Sequence, residues 1–346
     1  MTSERNTHDD SQAKDDRPLA LVLGATGGIG GALAAKLLGR GYRIRAMHRR
    51  PGAQPNAGPH FEWVGGDAML RQDVLRAADG ATVIVHAVNP PLYKDWDKLV
   101  LPMIDNTIAA ARATGALIVM PGTVYNFDPD VAPLIGEAAP QKPISRKGAI
   151  RVALERRLEQ VAGAGVGVLI VRAGDYFGPG AGNSWFQQMV KPGRPVRSVT
   201  LPGARGVGHQ WAYLPDVAET MARLIARRAD LPVFARFHMD GVFDRDGTEI
   251  AGVITRIAGG GKVTVRRFPW FLIRLGAPFV GLFRELLEMR YLWQRQLRMD
   301  NRHLVAFLGE EPHTPLEEAL RTTLQANGCL PAGSGKVQPT GLKLVA

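Results

Sequence analysis

The stretch that most restricts the fold is Gly24-Ala25-Thr26-Gly27-Gly28-Ile29-Gly30. It lies between an apolar run, Leu19–Leu23, and a segment with helical spacing, Ala32–Leu38. A short continuous apolar run suits a strand buried on both faces of a parallel sheet. Glycines at 24, 27 and 30 give the spacing G-x-x-G-x-x-G, and each has its own task in a strand–turn–helix unit. Gly24 permits the sharp turn, Gly27 lets backbone approach an anion, and Gly30 lets helix and strand lie close. The free N–H groups at the start of the helix then attract phosphate. A second strand, expected at Tyr42–Met47, completes the unit. Such a unit holds the pyrophosphate of a nicotinamide dinucleotide, here through Gly24, Thr26, Gly27, Gly28, Ile29 and Gly30.

The end of the second strand bears on the choice of ribose. An acidic side chain there would accept from a 2′-hydroxyl. The sequence instead reads His48-Arg49-Arg50, and no Asp or Glu lies between Gly24 and Glu62. Guanidinium groups suit a 2′-phosphate, so NADP is expected over NAD, with NAD the alternative. Asp67, followed by Ala68, is expected either beside the adenine amine or as a helix N-cap.

Further strands are expected at Phe61–Val64, Thr82–Val88, Ala116–Met120 and Val166–Arg172, and helices at Gln72–Ala78, Leu99–Thr114 and Arg146–Ala162. This alternation predicts an α/β fold with a doubly wound parallel sheet over residues 18–174. After Gly174 the rhythm changes. Residues 175–215 are rich in Gly and Pro and read as loops, and Asp216–Arg227 as a helix. Residues 233–267 suggest short strands around a helix at Gly247–Ala258, and 269–327 read as helical. Residues 175–330 therefore form a smaller, mixed α/β substrate-side region, some of whose elements return to the core. Residues 1–17 and 331–346 read as loose tails. Within 268–293, Trp270, Phe271, Phe279, Phe283, Tyr291 and Trp293 mix with arginines. A substrate-side core helix is the plainest reading; a lid, a dimer surface or a membrane-surface helix are the alternatives.

The chain carries a net charge of +11, but its arginines and lysines are spread along it. With no dense basic stripe interleaved with aromatics, no nucleic-acid partner is expected. A single cysteine, Cys329, excludes intramolecular disulfides. No His, Asp, Glu and Cys set has metal-ligand spacing, so no metal is expected. The start of the chain lacks the apolar core of a secretory signal. The most apolar stretch, Phe268–Leu287, is interrupted by Arg274, Arg284 and Glu285. No integral membrane span is expected, and a cytoplasmic location is the default. A small-molecule substrate is the expected partner, with a homodimer as an option.

Several further motifs keep a fixed order: GDA at 66–68, HAVNP at 86–90, Asn106, VYNF at 124–127, VRAGDYFGPG at 171–180 and WAYLPDVAET at 211–220. With GATGGIG at 24–30 they resemble the extended and atypical short-chain dehydrogenase/reductases, the group that contains NAD-dependent epimerases and dehydratases. The resemblance runs from about residue 18 to 225, with a weaker echo to about 328. It implies an enzyme that uses a nicotinamide dinucleotide on a small hydroxyl- or carbonyl-bearing substrate. His86, Ala87 and Val88 would line the ribose and nicotinamide side. Asn106 would match an asparagine that holds an active-site water or a helix bend. Asp216 would match an aspartate at a late helix start.

The resemblance breaks at the proton-transfer pair. Such enzymes usually carry Tyr-x-x-x-Lys on the helix after the fifth strand, with Glu four residues on. Anchored on Glu155, Arg151 stands where the lysine is expected and Lys147 where the tyrosine is expected. No tyrosine occurs between 126 and 175. The usual late-strand Ser or Thr falls at Pro121, with Thr123 nearby. Arg151 can hold ribose hydroxyls but does not deprotonate. Lys147 serves as acid or base only if its surroundings favour the neutral form. Tyr125 and Tyr176 are substitute proton donors by position, with core packing their plainer role. Ser145 offers either a hydroxyl or a helix cap. His209, beside Trp211, is a candidate pocket residue. The expected chemistry is hydride transfer at a carbonyl or secondary alcohol, with Lys147, Arg151, Tyr125, Thr123 and Asn106 at the centre. A non-catalytic NADP-binding sensor or scaffold, and a sugar epimerase or dehydratase, are the alternatives.

Overall fold

The computed structural model describes residues 16–90, 95–182, 184–259 and 263–330. The proposed tail at 331–346, and all but the end of the one at 1–17, lie outside the described residues. The first half alternates strand and helix: β1 (Leu19–Leu23), α1 (Gly28–Leu38), β2 (Arg43–His48), β3 (Phe61–Gly65), α2 (Arg71–Ala78), β4 (Ala81–His86), α3 (Trp96–Thr114), β5 (Leu117–Gly122), α4 (Arg146–Ala162) and β6 (Val168–Arg172). The remainder comprises β7 (Asp175–Phe177), α5 (Trp185–Met189), β8 (Ser198–Leu201), β9 (His209–Tyr213), α6 (Leu214–Ala226), β10 (Phe234–His238), β11 (Val242–Asp244), α7 (Glu249–Ile257), β12 (Thr264–Arg267), α8 (Trp270–Gly276), α9 (Gly281–Glu288), α10 (Arg302–Leu308) and α11 (Leu316–Ala326).

The central sheet has seven strands in the order β10-β6-β5-β4-β1-β2-β3. Every pairing in it is parallel. Continuous aliphatic runs make this possible: β1 and β6 are buried along their whole length. One layer of core packs under α2, α3 and α4, the other under α1 and α6. The strand order reverses between β1 and β4, so a crevice opens at their carboxyl ends, where ligands of open α/β sheets bind. The seventh strand, β10, comes from beyond residue 174.

Residues 175–215 depart from the loop expectation, because β7, β8 and β9 lie within them. Their pairings explain why. β7 pairs parallel with β9, β11 runs antiparallel to β9, and β8 pairs with the distant β12. Strands this short are fixed by partners far along the chain rather than by their own pattern. A second departure concerns 268–293. Instead of one core helix there is a hairpin, α8–α9, whose Phe271 is 76% exposed and Phe279 88% exposed. Only its inner side is buried, through Ile273 and Ala277. Trp293 beyond it does join the core, against Trp185 and Trp211. Among the described residues, no helix is long and apolar enough to cross a membrane.

Glu155 on α4 and Arg172 at the end of β6 form a buried ion pair. Burying two charges costs several kcal/mol unless their remaining hydrogen-bonding capacity is met. Here Asn126 and Gln141 donate to Glu155 at 2.9 and 3.1 Å. Arg172 Nη1 lies 2.7 Å from His238 Nε2, and His238 Nδ1 lies 3.0 Å from the Ile135 carbonyl. The chain of contacts is consistent if the imidazole is neutral, donating to Ile135 and accepting from Arg172. Burial, then Arg172, lowers the His238 pKa to about 3.

Candidate dinucleotide site and active centre

The glycine turn occupies the crevice between β1 and β4. Gly24 adopts φ 91°, and a Cβ there would lie 2.6 Å from the Ala87 carbonyl oxygen. A Cβ on Gly30 would lie 2.2 Å from the Gly24 oxygen, and one on Gly28 would lie 2.5 Å from the Gly180 oxygen. The lower side of the turn is therefore backbone against backbone. Its upper side is open, since Thr26 and Gly27 are exposed. Gly27 is the N-cap of α1 and supplies no side-chain cap, and the first turn holds no acid. The opening N–H groups, including those of Gly28, Ile29 and Gly30, have no carbonyl partner within the helix. This donor set, with positive helix-end polarity and no competing carboxylate, fits a pyrophosphate.

One side of the crevice is built from β2 and β3. Arg49 and Arg50 follow β2 and are exposed. His48 Nδ1 accepts from the Arg50 backbone at 3.0 Å, which fixes the bend that carries them. Asp67 Oδ1 accepts from the Met69 N–H at 3.0 Å. Asp67 is not an N-cap, because Leu70 holds that position in α2 without a side-chain bond. Ala68 is buried, and its carbonyl accepts from Asn106 Nδ2 at 2.9 Å. Asn106 thus ties α3 to the loop after β3.

His86 closes β4 and is buried. Its Nδ1 lies 2.8 Å from Thr107 Oγ1, whose hydroxyl donates to the Met103 carbonyl at 3.2 Å. The threonine proton is already used, so Nδ1 carries the imidazole proton. Burial, then the nearby Arg151 charge, lowers the His86 pKa to about 3. The side chain is turned into the α3 side, whereas the backbone of Ala87 and Val88 meets the Gly24 turn.

The α4 residues divide by turn. Ser145 caps the helix, accepting from Gly148 N at 3.0 Å. Gly148 allows α4 to pass over Tyr125, whose carbonyl oxygen lies 2.2 Å from the place of a Cβ. Lys147 is fully buried, its Nζ enclosed by Glu285 and, at 2.6 Å, Glu288 of α9. Arg151, one turn on, faces the crevice: its Nη2 lies 3.5 Å from Asn89 Oδ1 and its guanidinium 5.0 Å over the Trp96 ring. Arg151 also acts electrostatically on both His86 and Tyr176. Thr123 accepts from Tyr125 N at 3.4 Å and donates to Asn126 Oδ1 at 3.3 Å. Tyr125 itself is buried in the core.

Across from α4 lies the segment after β6. Tyr176, like Ile29 and Ala87, packs against one core cluster. Its buried hydroxyl has no hydrogen-bond partner among the described residues. Burial pushes this phenol upward, and Arg151 pulls it back. Neighbouring Asp175 Oδ2 lies 2.8 Å from His209 Nε2, and the His209 ring stacks on Trp293 at 3.7 Å. Tyr291 completes this wall near Ser145 and Asp175, and burial pushes it up to about 12. No local pattern in the sequence links Asp175, Tyr291 and Trp293, because their contacts, such as those of His209 with Asp175 and Trp293, join separate segments of the chain. Asp216 lies in the first turn of α6 and accepts from the Thr314 backbone and hydroxyl, both at 2.7 Å. Among the described residues, no group of His, Cys, Asp and Glu could hold a metal ion.

Comparisons agree with this architecture. A 3-diazoavenalumate denitrifying reductase from a Streptomyces species is 30% identical over 177 residues, 47% of this chain and 57% of that protein. The uncharacterised protein y4nL of Sinorhizobium fredii is 28% identical over 200 residues, 51% of this chain and 56% of that protein. The chain thus spans little more than half the length of these curated relatives. Among solved structures, one described as an epimerase from Burkholderia cenocepacia J2315 superposes with a TM-score of 0.70 at 19% identity, covering 91% of this chain and 99% of that one. The Bordetella bronchiseptica enzyme WbmH, in complex with NAD+, gives 0.65 at 17% identity, covering 90% and 98%. Both likenesses concern the fold. The family model for the NAD dependent epimerase/dehydratase family matches residues 20–236, more than half of the sequence. The chain belongs to the NAD-dependent epimerase/dehydratase family.

Proposed function

We propose that this protein is an oxidoreductase of the atypical short-chain dehydrogenase/reductase type, using NADP(H) in preference to NAD(H) on a carbonyl or secondary alcohol of a small molecule. The observation that carries the reading is the glycine turn, packed on backbone below and open above at an uncapped helix start. Bound there, the dinucleotide would supply the hydride donor or acceptor. Gly24, Thr26, Gly27, Gly28, Ile29 and Gly30 hold the pyrophosphate. Arg49 and Arg50 pair with the 2′-phosphate. Asp67 and Ala68 border the adenine, and the backbone of Ala87 and Val88 borders the ribose.

Arg151 takes over the fixed positive charge and the ribose contact of the missing lysine. It cannot relay a proton, so that task passes to the Tyr176 hydroxyl, which no hydrogen bond engages among the described residues. Tyr176 gives the proton to the substrate oxygen in reduction and takes it in oxidation, and Arg151 steadies the resulting phenolate. Lys147 serves the same site from behind. Held by two carboxylates, it fixes the N-terminal turn of α4 against α9. Thr123 and Tyr125 shape the floor beside it, and Asn106 holds the adenosine-side loop.

Net reduction is supported by the similarity to a protein named as a reductase. The test is twofold. Calorimetry of the purified chain should give tighter binding of NADPH than of NADH, and equal affinities would refute the cofactor preference. A panel of aldehydes and ketones should then be reduced with loss of NADPH absorbance. A product isomerised without net loss of absorbance would instead identify an epimerase, and tight binding without turnover on the panel or on nucleotide sugars would identify a sensor.

A further inference from the structure

We propose that the α8–α9 hairpin docks this protein on the surface of an anionic lipid bilayer. The hairpin is built inside out. Ile273 of α8 and Ala277 just after it are buried, while Phe271, Leu272 and Leu275 of α8 are exposed. Phe279, Val280 and Leu282 continue the exposed apolar surface around the turn. An apolar patch of this kind, sited on the molecule's outside, marks an interaction surface.

Part of the turn's backbone is paired within the turn. The N–H groups of Phe279 and Val280 both reach the Gly276 carbonyl at 3.0 Å, and that of Phe283 reaches Val280 at 3.0 Å. Arg284 Nη1 donates to the Ala277 and Pro278 carbonyls at 3.2 and 3.3 Å. A Cβ on Gly276 would lie 2.7 Å from the Phe283 ring, so the two helices meet closely at that glycine. A segment entering the acyl–headgroup boundary must bring few unsatisfied backbone groups with it. This turn satisfies several of its own while presenting apolar side chains.

Charge selects the occupant. From Val263 to Arg284 the sequence carries Arg266, Arg267, Arg274 and Arg284 and no acid. All four arginines are exposed. The acids that follow, Glu285 and Glu288, are turned inward onto Lys147. An isologous dimer would set this patch against itself, placing arginines opposite arginines with no carboxylate between them. An anionic membrane complements both its apolar and its cationic parts.

The test uses the full chain and vesicles. It should co-sediment with vesicles of phosphatidylcholine and phosphatidylglycerol, weakly with phosphatidylcholine alone, and less as salt rises. Phe271→Asp with Phe279→Asp should reduce the partition coefficient at least about a hundredfold, since two phenyl groups lose their apolar burial. Arg266→Glu with Arg267→Glu should remove the preference for anionic vesicles. All four side chains are exposed, so melting temperature and NADPH binding should stay unchanged, which separates this proposal from the cofactor site. Absence of binding to anionic vesicles would overturn the proposal. So would a dimer that the Phe variants convert to monomer while vesicle binding is untouched.

Discussion

The Gly24 carbonyl oxygen lies 2.2 Å from the position a Cβ would take on Gly30. Side chain and backbone cannot share that space, so Gly30→Ala must push α1 away from β1. A loss of about 1–3 kcal/mol is expected, as for overpacked cores, and urea unfolding of the free protein measures it. Gly27→Ala should behave differently. Gly27 has φ −83° and ψ 160°, which alanine adopts, and its Cβ would meet only the Gly24 oxygen, at 3.3 Å. Stability should be nearly kept while NADPH binding weakens at least about tenfold, because the methyl enters the space over the donor groups.

Arg49→Ala and Arg50→Ala test the cofactor preference. A charge-assisted hydrogen bond contributes about 1.5–3 kcal/mol, so the double variant should lose NADPH affinity by about tenfold or more. NADH affinity should hardly move. Isothermal titration with both nucleotides reads the ratio directly, and parallel losses would place these arginines away from the 2′-phosphate.

Tyr176→Phe and Lys147→Met separate proton transfer from support. The first removes only a hydroxyl, and kcat should drop by about a hundredfold or more with NADPH affinity intact. The second strips the cation from between Glu285 and Glu288, which are left packed against an apolar chain. Breaking a buried pair from one side costs about 3–5 kcal/mol, so Lys147→Met should show first in the melting curve. A Tyr176→Phe variant with normal kcat on an accepted substrate would send the proton route elsewhere.

His86 and His238 give the fold an acid-sensitive range. Both are held neutral, with pKa values lowered from 6.5 to about 3. The unfolded chain therefore binds two protons that the native state refuses. Stability is fully present above 6.5 and declines as the pH falls from there toward 3, by about 1.4 kcal/mol per unit for each imidazole. Unfolding free energy measured across this range should show the slope, and His238→Gln should lower it by about one proton.

The sheet was largely legible because its strands announce themselves. Leu19–Leu23 is apolar throughout and sits at the expected place, and α4 has the expected bounds Arg146–Ala162, with Ser145 marking its start. β4 stops at His86, short of the expected Val88, where the Ala87 backbone lies close to the Gly24 turn. The glycine turn was legible for the same reason as the sheet: its residues lie side by side in sequence. The wall of the candidate site across from α4 was not. His209 meets Asp175 and Trp293, and Lys147 meets Glu285 and Glu288, across intervals that no local pattern encodes. Tyr176 was visible as a strand-end residue, but its unengaged hydroxyl depends on what packs around it.

Helix α4 carries Lys147 on one turn and Arg151 on the next, and the first is clamped by α9, the second helix of the hairpin that exposes Phe271, Leu275 and Phe279. A bilayer-seated hairpin would therefore stand one helical turn from the dinucleotide crevice. For an oily carbonyl compound, the quantity that governs rate then changes from molarity in water to mole fraction in lipid. Diluting the membrane with inert phospholipid at constant total substrate should slow such an enzyme, whereas adding buffer should not.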